Sequence, residues 1–511
     1  MAEWEEQAPG GAEAAGESPG FSFKKLFSDI AVYSSGSLLI KGMSLISAPI
    51  YTRIFDPGQY GAWSFINVMV AFLTGILFLG GDNAYTRFFF QCRSEEEKRT
   101  LSATWFSFLA LWSVVVLALV LPFSGQLAGL LLGTPAYRGA LALGFISSPL
   151  LMMNLILSQV LRNRFQAKAF AALNVTTAAL TLILAVSFVL VFDLGVAGAL
   201  LGAALAALIM IPVRLFFVRD LLEWRFSVVF LKRLLAFGLP LVPMNVAFWL
   251  FSNADRLMLS RLATLEDVGL YSIAAAMAAL LMLLQTSVGQ SWLPHAVKVY
   301  EEDREQAAAV FKKTMVFLLA ASGFVVTGFV ALAQEVIFIL VPPFYYGAFA
   351  AIPFLAGGFL FFTSAQVSAV GIMVKNKTVY IMLACWAVAV INIGLNYLFI
   401  PRFGIAGAGA ATGLSYILFA ASYAFISRRL WFVDYPLKTI AVLLAVPLGA
   451  VMSVALIAFY GPSIGINFAL KLLILALTGA LILAVTCRAE KISLAQLKQM
   501  ALRLLKAGKS P

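Results

Sequence analysis

The sequence predicts an all-α integral membrane protein with fourteen transmembrane helices, twelve of which form two similar lobes around a central cavity. Three observations predict this class. The 511 residues are 62% hydrophobic and only 12% charged, whereas soluble domains contain about 25% charged residues. Apolar segments of roughly 20 residues, the length that a bilayer requires, recur along the chain. Two halves of the sequence also match each other at an offset of 208 or 209 residues.

The first and last segments of the chain differ from the bundle between them. Residues 1–20 carry five glutamates among Gly, Ala and Pro, without a lysine or arginine. This composition predicts a disordered acidic tail on the cytoplasmic side. It differs from that of a signal peptide, which begins with basic residues. Residues 488–511 place apolar side chains on one helical face and basic side chains mostly elsewhere, so we predict a basic amphipathic helix on the inner leaflet.

Charged residues, glycine and proline divide the remainder into fourteen apolar segments. Because fourteen is an even number, both termini are expected on the same side of the membrane. The predicted segments are 29–54, 61–87, 101–123, 139–161, 169–191, 195–218, 233–260, 268–292, 311–333, 348–371, 378–400, 404–427, 437–460 and 463–487.

The distribution of lysine and arginine indicates which side that is. If the N-terminus is cytoplasmic, 29 of the 36 basic residues, Arg214 among them, fall on the cytoplasmic side. Basic residues accumulate in cytoplasmic loops, so we predict a multi-pass protein of the bacterial inner membrane with both termini inside. The net charge of +12 is then mainly topological, and nucleic acid is not a predicted partner. The seven remaining basic residues are Lys41, Arg53, Arg138, Arg256, Arg261, Arg402 and Lys471.

An internal repeat decides the domain organisation. At an offset of 208, Arg53, Gly61 and Ser64 correspond to Arg261, Gly269 and Ser272, and at 209 the run 195–199 corresponds to 404–408. Each copy contains six segments, so both enter the membrane in the same orientation, as in parallel-repeat transporters. We therefore predict an N-lobe at 21–225, a C-lobe at 226–430 and two further helices at 431–487.

Two groups of motifs stand out in the sequence, one near the middle and one near the start of the bundle. They are Phe237–Pro243, Asn253–Arg256, Arg261 and Val268–Ala275, and then Tyr51–Arg53 and Gln59–Ser64. These motifs resemble the mid-chain and opening signatures of Wzx-type polysaccharide and oligosaccharide flippases, in the superfamily that also contains MATE exporters and MurJ. A count of fourteen helices, rather than the twelve of many Wzx-type members, resembles MurJ.

This resemblance implies an alternating-access flippase. Its substrate would be an oligosaccharide linked through a diphosphate to an isoprenoid, moved from the cytoplasmic to the periplasmic leaflet. The implied partners are this glycolipid, membrane lipids, a glycan polymerase and other assembly proteins. No cofactor is expected. An H⁺ or Na⁺ gradient is one possible energy source, because the sequence has no phosphate-binding loop for ATP.

Ionisable residues within membrane segments are the first candidates for the site, because their insertion into lipid is costly. Lys41 lies near the middle of the first segment, and its ammonium suits a diphosphate. Arg87 and His295 occupy equivalent positions of the two repeats and are expected to face each other across a cytoplasmic vestibule, where they would bind the entering diphosphate. Arg256 is a further candidate for binding the diphosphate, and Asp255 is a candidate for coupling or gating. Of these two neighbours, one is expected to face the cavity and the other to pair with a nearby helix.

Neutral polar residues in the segments form a second group. They are predicted to line the cavity or to form hydrogen bonds between helices. They are Asn154, Gln159, Gln290, Gln366, Asn392 and Asn396.

Two alternative functions remain open from the sequence. A MATE-like ion-coupled exporter of cationic molecules would need acidic groups in its cavity, whereas the deep candidates here are mainly basic. An integral-membrane polysaccharide polymerase or ligase would need a sizeable external loop. The longest predicted external loops, 123–139 and 333–348, are short and contain only one carboxylate, Glu335. We therefore predict that the protein is not an enzyme.

Overall fold

A computed structural model describes Met43 and residues 46–221, 223, 225–375, 377–460 and 464–490. These residues form helices joined by short connections, with no β-strand among them. The predicted acidic tail at 1–20 and the basic tail from 491 onward lie outside the described residues. Twelve helical stretches in the described ranges are long and apolar enough to cross a membrane. The predicted class of helical membrane protein is confirmed.

Residues 46–54 are helical, and fifteen α-helices follow them. The helices are α1 Pro57–Phe78, α2 Gly81–Gln91, α3 Glu95–Val120, α4 Ser124–Leu132, α5 Arg138–Asn163, α6 Ala167–Leu190, α7 Gly195–Phe217, α8 Val228–Gly238, α9 Val242–Leu262, α10 Leu265–Glu302, α11 Arg304–Leu340, α12 Ile352–Met373, α13 Thr378–Leu430, α14 Leu437–Tyr460 and α15 Ile464–Glu490. Short 3₁₀ turns connect some of them, at Leu121–Phe123, Pro135–Tyr137, Arg219–Leu221, Leu239–Leu241 and Pro343–Ala351.

Two predicted spans are each broken into a pair of helices. The predicted segment 61–87 is interrupted at Leu79 and Gly80, whose φ angles are 50° and 68°. The predicted segment 233–260 is interrupted between α8 and α9, where Pro240 lies in a 3₁₀ turn. The two breaks touch each other, because a side chain at Gly80 would overlap the carbonyl oxygen of Gly238. Hydropathy identified both apolar segments correctly but carried no information about these interruptions.

The longest helix, α13, folds back on itself. Its 53 residues would extend about 80 Å as a straight helix, more than twice the thickness of the hydrocarbon core. The chain turns at Gly404, where φ is 54°, and the repeat-related Gly195 has φ of 53°. Glycine adopts such left-handed backbone without a steric penalty. The helix α13 thus supplies two passes, whereas the total of fourteen stays a prediction because most of 29–54 lies outside the described residues.

Connections on one side of the bundle are more helical than the sequence indicated. The predicted loop 333–348 is wrong in its first part, because α11 continues to Leu340 and contains Glu335. The predicted loop 123–139 is likewise replaced mainly by the short helix α4. Hydropathy placed the end of the predicted segment 311–333 too early because the last turns of α11 contain Gln334 and Glu335.

The last two helices pack onto one lobe. Both α14 and α15 contact α11, and α14 also contacts α12. Lys471 of α15 is 1% exposed, and its Nζ donates to Glu335 Oε1 of α11 at 2.8 Å and also to Gln334. The amide of Gln334 in turn donates to the carbonyl oxygen of Ala458 in α14. A buried ion pair and its neighbouring amide therefore attach both helices to the C-lobe.

Candidate functional site

The two lobes meet at the end of the bundle where α1 and α10 begin, which we call the Pro57 side. Gly61 and Gly269 lie at this crossing, and a side chain at either would overlap backbone oxygen of the opposing helix. The hydroxyl of Ser64 donates to that of Ser272 at 2.8 Å. Since both pairs are related by the 208-residue repeat, equivalent surfaces of the two lobes form this contact. Small residues allow the two backbones to approach closely.

A further contact between the lobes lies toward the opposite end, which we call the Gln91 side. There α2 packs against α8, with the Arg87 guanidinium carbon 4.8 Å from the centroid of the Phe237 ring. Arg87 is exposed on α2, and His295 is exposed on α10. The two side chains share no hydrogen bond, ion pair or ring contact among the described residues. Their predicted meeting across a vestibule stays a prediction.

Ion pairs also connect segments on the Gln91 side. Arg164 donates to both carboxylate oxygens of Asp220, and Arg99 pairs with Glu223 at 2.8 Å. The hydrogen bond from Arg164 holds the pKa of Asp220 below its usual value. Part of the positive charge on this side is therefore compensated within the protein.

A cavity of about 470 Å³ lies between the lobes, adjacent to the contact on the Pro57 side. Its wall combines apolar side chains with a few polar groups, the pattern typical of binding sites for small molecules and cofactors. The polar groups include Asn67 of α1 and Asn253 and Arg256 of α9. Both lobes therefore contribute to this interlobe cavity.

Arg256 supplies the charge of the interlobe cavity, whereas its neighbour Asp255 points elsewhere. One nitrogen, Nη1, donates to Asn253 Oδ1 at 3.1 Å, and Nε is buried without a partner among the described residues. Asp255 is 5% exposed and accepts hydrogen bonds from Tyr271 and, at 3.4 Å, from Thr412. Asp255 thus connects α9 to α10 and α13, while Arg256 faces the cavity.

A second cavity, of about 670 Å³, lies mainly within the N-lobe. It shares the lining residues Asn67 and Ala71 with the interlobe cavity, so the two spaces adjoin at α1. Arg214 of α7 and Asn154 of α5 also line it. No aspartate or glutamate lines either cavity within the described part of the chain.

Arg214 is buried, which the sequence did not indicate. It lies in the last turn of α7, among the basic residues predicted on the cytoplasmic side, and it is 1% exposed. The signal that could have identified it is its position inside the predicted segment 195–218. Its burial depends on polar partners in α5 and α6, and no pattern within α7 predicts those partners.

The other predicted polar residues have varied surroundings. The side-chain amide of Gln159 in α5 donates hydrogen bonds to the backbone oxygen of Asp82 and, at 2.7 Å, to the hydroxyl of Thr86, both in α2. Asn392 donates to Ser415 and accepts from Asn396, both at 3.0 Å, within the folded-back α13. These three residues and the half-buried Gln366 lie outside the linings of the two cavities. Lys41 and the side chain of Gln290 lie outside the described part of the structure.

This architecture defines a class: a multi-pass membrane protein with a cationic cavity between two helical lobes. The family model for polysaccharide biosynthesis proteins matches residues 26–300, more than half of the chain. The chain therefore belongs to the polysaccharide biosynthesis protein family, as the sequence motifs predicted. Comparison with curated protein sequences finds no match.

Solved structures show where this fold occurs. A structure of lipid II flippase MurJ in an inward closed conformation aligns with a TM-score of 0.71 at 14% identity, covering 90% of this chain and 99% of that chain. An inward-facing multidrug resistance MATE transporter of the MOP superfamily aligns with a TM-score of 0.64 at 14% identity, covering 81% and 98%. An outward-facing multidrug resistance MATE transporter of the MOP superfamily aligns with a TM-score of 0.53 at 15% identity, covering 82% of this chain and 95% of that chain. The predicted MurJ and MATE fold is confirmed.

Proposed function

We propose that this protein is a flippase that moves an isoprenoid-diphosphate-linked oligosaccharide from the cytoplasmic to the outer leaflet of the bacterial inner membrane. Membership of the polysaccharide biosynthesis family supports a role in glycan assembly. The fold shared with lipid II flippase MurJ supports lipid-linked substrates. The partners we propose are the glycolipid, surrounding lipids, and the polymerase and assembly proteins that use the product.

The single observation that carries this proposal is the charge of the interlobe cavity. Arg256 lines this cavity, its buried Nε has no partner among the described residues, and no described carboxylate lines the wall. Arginine donates several hydrogen bonds in a fixed plane and binds phosphate groups well. A mostly apolar wall with one guanidinium suits a molecule that combines an anionic diphosphate with a lipid tail.

The same observation weighs against a MATE-like exporter of cationic molecules. Cations would require an acidic group in the cavity, whereas Asp255 is engaged with Tyr271 and Thr412 outside its lining. We also propose a transporter rather than a polymerase or ligase, with no cofactor. The energy would come from an ion gradient, the membrane potential or consumption of the product.

Transport is proposed to proceed by alternating access. With the N-terminus on the cytoplasmic side, the Pro57 side faces outward, so the described arrangement is closed toward the outside by the contact of α1 with α10. The headgroup would enter from the inner leaflet once the contact of α2 with α8 opens, and would bind near Arg256. Separation of Gly61 from Gly269 would then release it outward while the tail stays in lipid.

Replacement of Arg256 by glutamine is expected to lower translocation strongly. Loss of a charge-assisted hydrogen bond costs about 1.5–3 kcal/mol, which corresponds to roughly a 10- to 150-fold weaker interaction. The measurement is translocation of a fluorescent lipid-linked glycan in vesicles that contain the purified variant. Arg261→Gln is the matched control, because Arg261 is exposed on the same helix and does not line the cavity.

The same assay tests the remaining basic candidates. Lys41→Ala and Arg87→Ala are each expected to slow translocation if these residues attract the diphosphate. Full activity of both variants at normal expression would show that Lys41 and Arg87 are not part of the site.

Equal activity of Arg256→Gln and Arg261→Gln would contradict the role proposed for the interlobe cavity.

A further inference from the structure

Arg214 is a buried cation held by neutral partners. Its Nη1 donates to Ser158 of α5, and its Nη2 donates to Asn174 Oδ1 at 3.0 Å and Thr177 Oγ1 at 2.7 Å in α6. Nη2 also lies 3.3 Å from the carbonyl oxygen of Leu173. No described carboxylate is within salt-bridge distance of the guanidinium, and its Nε has no described partner.

Neutral acceptors satisfy hydrogen bonds but do not neutralise charge. Burial of an ion away from water is costly unless an opposite charge compensates it. The ion pair of Lys471 with Glu335 shows that this same protein compensates another buried cation with a carboxylate. Arg214 lacks such a carboxylate in the described ranges, which makes it a centre of uncompensated positive potential.

This potential lies next to open space. The N-lobe cavity of about 670 Å³ is lined by Arg214 together with Ser158, Asn174 and Thr177, three of the residues that hold its guanidinium. Arg214 and its neutral partners therefore form part of the wall of a space larger than the interlobe cavity.

We propose that the N-lobe cavity is a second anion-binding subsite, in which Arg214 receives a phosphate oxyanion. The anion is either the headgroup phosphate of the transported lipid or a free phosphate ion. Binding of the lipid headgroup rests on the proposed function. It would make the N-lobe cavity a second binding site beside the interlobe cavity that contains Arg256, because the two cavities share Asn67 and Ala71. The free-ion source would make it a site for a co-bound anion.

Binding of inorganic pyrophosphate and of a lipid-linked diphosphate glycan to the purified full-length protein, measured by titration calorimetry, tests the subsite. We expect saturable binding to the wild-type protein and at least about tenfold weaker binding to Arg214→Gln. Arg219→Gln is the matched control, because Arg219 is exposed just beyond the same helix and does not line the cavity. The control is expected to bind like the wild type.

A second variant keeps the test valid if loss of Arg214 prevents folding. Gly75 of α1 lines the N-lobe cavity, and a Cβ at this position meets no atom within 4 Å. Gly75→Leu should therefore fold normally, fill the cavity and weaken anion binding while Arg214 remains intact. A merely structural role of Arg214 predicts no effect of this variant on binding.

The outcomes separate this subsite from the transport function. If only the lipid-linked diphosphate binds, and its binding depends on Arg214, the ligand is the headgroup. If pyrophosphate also binds and does not compete with the lipid-linked diphosphate, the ligand is a free anion. The proposal is overturned if the wild type binds neither anion, or if Arg214→Gln and Gly75→Leu both bind like the wild type. Translocation by a protein with that result would leave the flippase function intact. Arg214-dependent binding without translocation would instead contradict the flippase.

Discussion

Gly61→Leu is expected to abolish translocation while leaving the protein folded in the membrane. A side chain at Gly61 would overlap the backbone carbonyl oxygen of Leu265, and backbone atoms cannot rotate away as a flexible side chain can. The lobes would then be unable to close on the Pro57 side. Since alternating access requires both closed states, we expect transport in reconstituted vesicles to fall to the level of protein-free vesicles.

The control for this variant is the same substitution at Gly449. Gly449 lies in α14, where an added Cβ meets no atom within 4 Å, so Gly449→Leu is expected to retain activity.

A complementary variant carries Ser64→Cys and Ser272→Cys, with the three native cysteines replaced by alanine. These hydroxyls are 2.8 Å apart, so oxidation should join the lobes and stop transport until a reductant is added. Full activity of Gly61→Leu would show that this contact is not part of the cycle.

Lys471→Met is expected to lower the free energy of unfolding by about 3–5 kcal/mol, because it leaves Glu335 partly buried without its cation. The effect should appear as a lower thermal unfolding midpoint and as faster proteolysis between α14 and α15. The double variant Lys471→Met/Glu335→Leu removes both charges and is expected to recover most of the loss. A well-packed apolar pair can replace a buried ion pair at little cost.

The matched control is the ion pair of Lys298 with Glu302. Its side chains are 70% and 63% exposed, and its atoms are 3.7 Å apart. Exposed pairs contribute only about 0–1 kcal/mol, so Lys298→Met should barely change the unfolding midpoint. Equal effects of Lys471→Met and Lys298→Met would show that the α11 to α15 pair does not hold the last helices in place.

The sequence predicted the class of protein because composition and segment length respond directly to the lipid environment. The repeat could be found because Gly61, Ser64 and their mates are constrained by one close contact. Helix breaks at Gly80 and Gly238 were missed. Hydropathy averages over many residues, whereas each break is a local change of backbone, left-handed at Leu79 and Gly80 and a 3₁₀ turn at Leu239–Leu241.

The partners of buried charged residues were the hardest feature to predict from the sequence. Lys471 and Glu335 are 136 residues apart, and the sequence analysis placed Glu335 in a loop. Arg214 lies close to a helix end, where an arginine ordinarily reaches the membrane surface. Only the packing of α5 and α6 around it shows that it is buried. By contrast, the different directions of Asp255 and Arg256 follow from the 100° step between adjacent helical residues.

We propose that the cationic cavity recognises a diphosphate-linked lipid, which can be tested by comparing two fluorescent lipids in vesicles containing the purified protein. Both carry the same glycan and isoprenoid tail, but one is linked by a diphosphate and the other by an uncharged group. We expect rapid transfer across the bilayer for the diphosphate lipid alone, and slower transfer with Arg256→Gln. Equal transfer of both lipids, or none above protein-free vesicles, would contradict it.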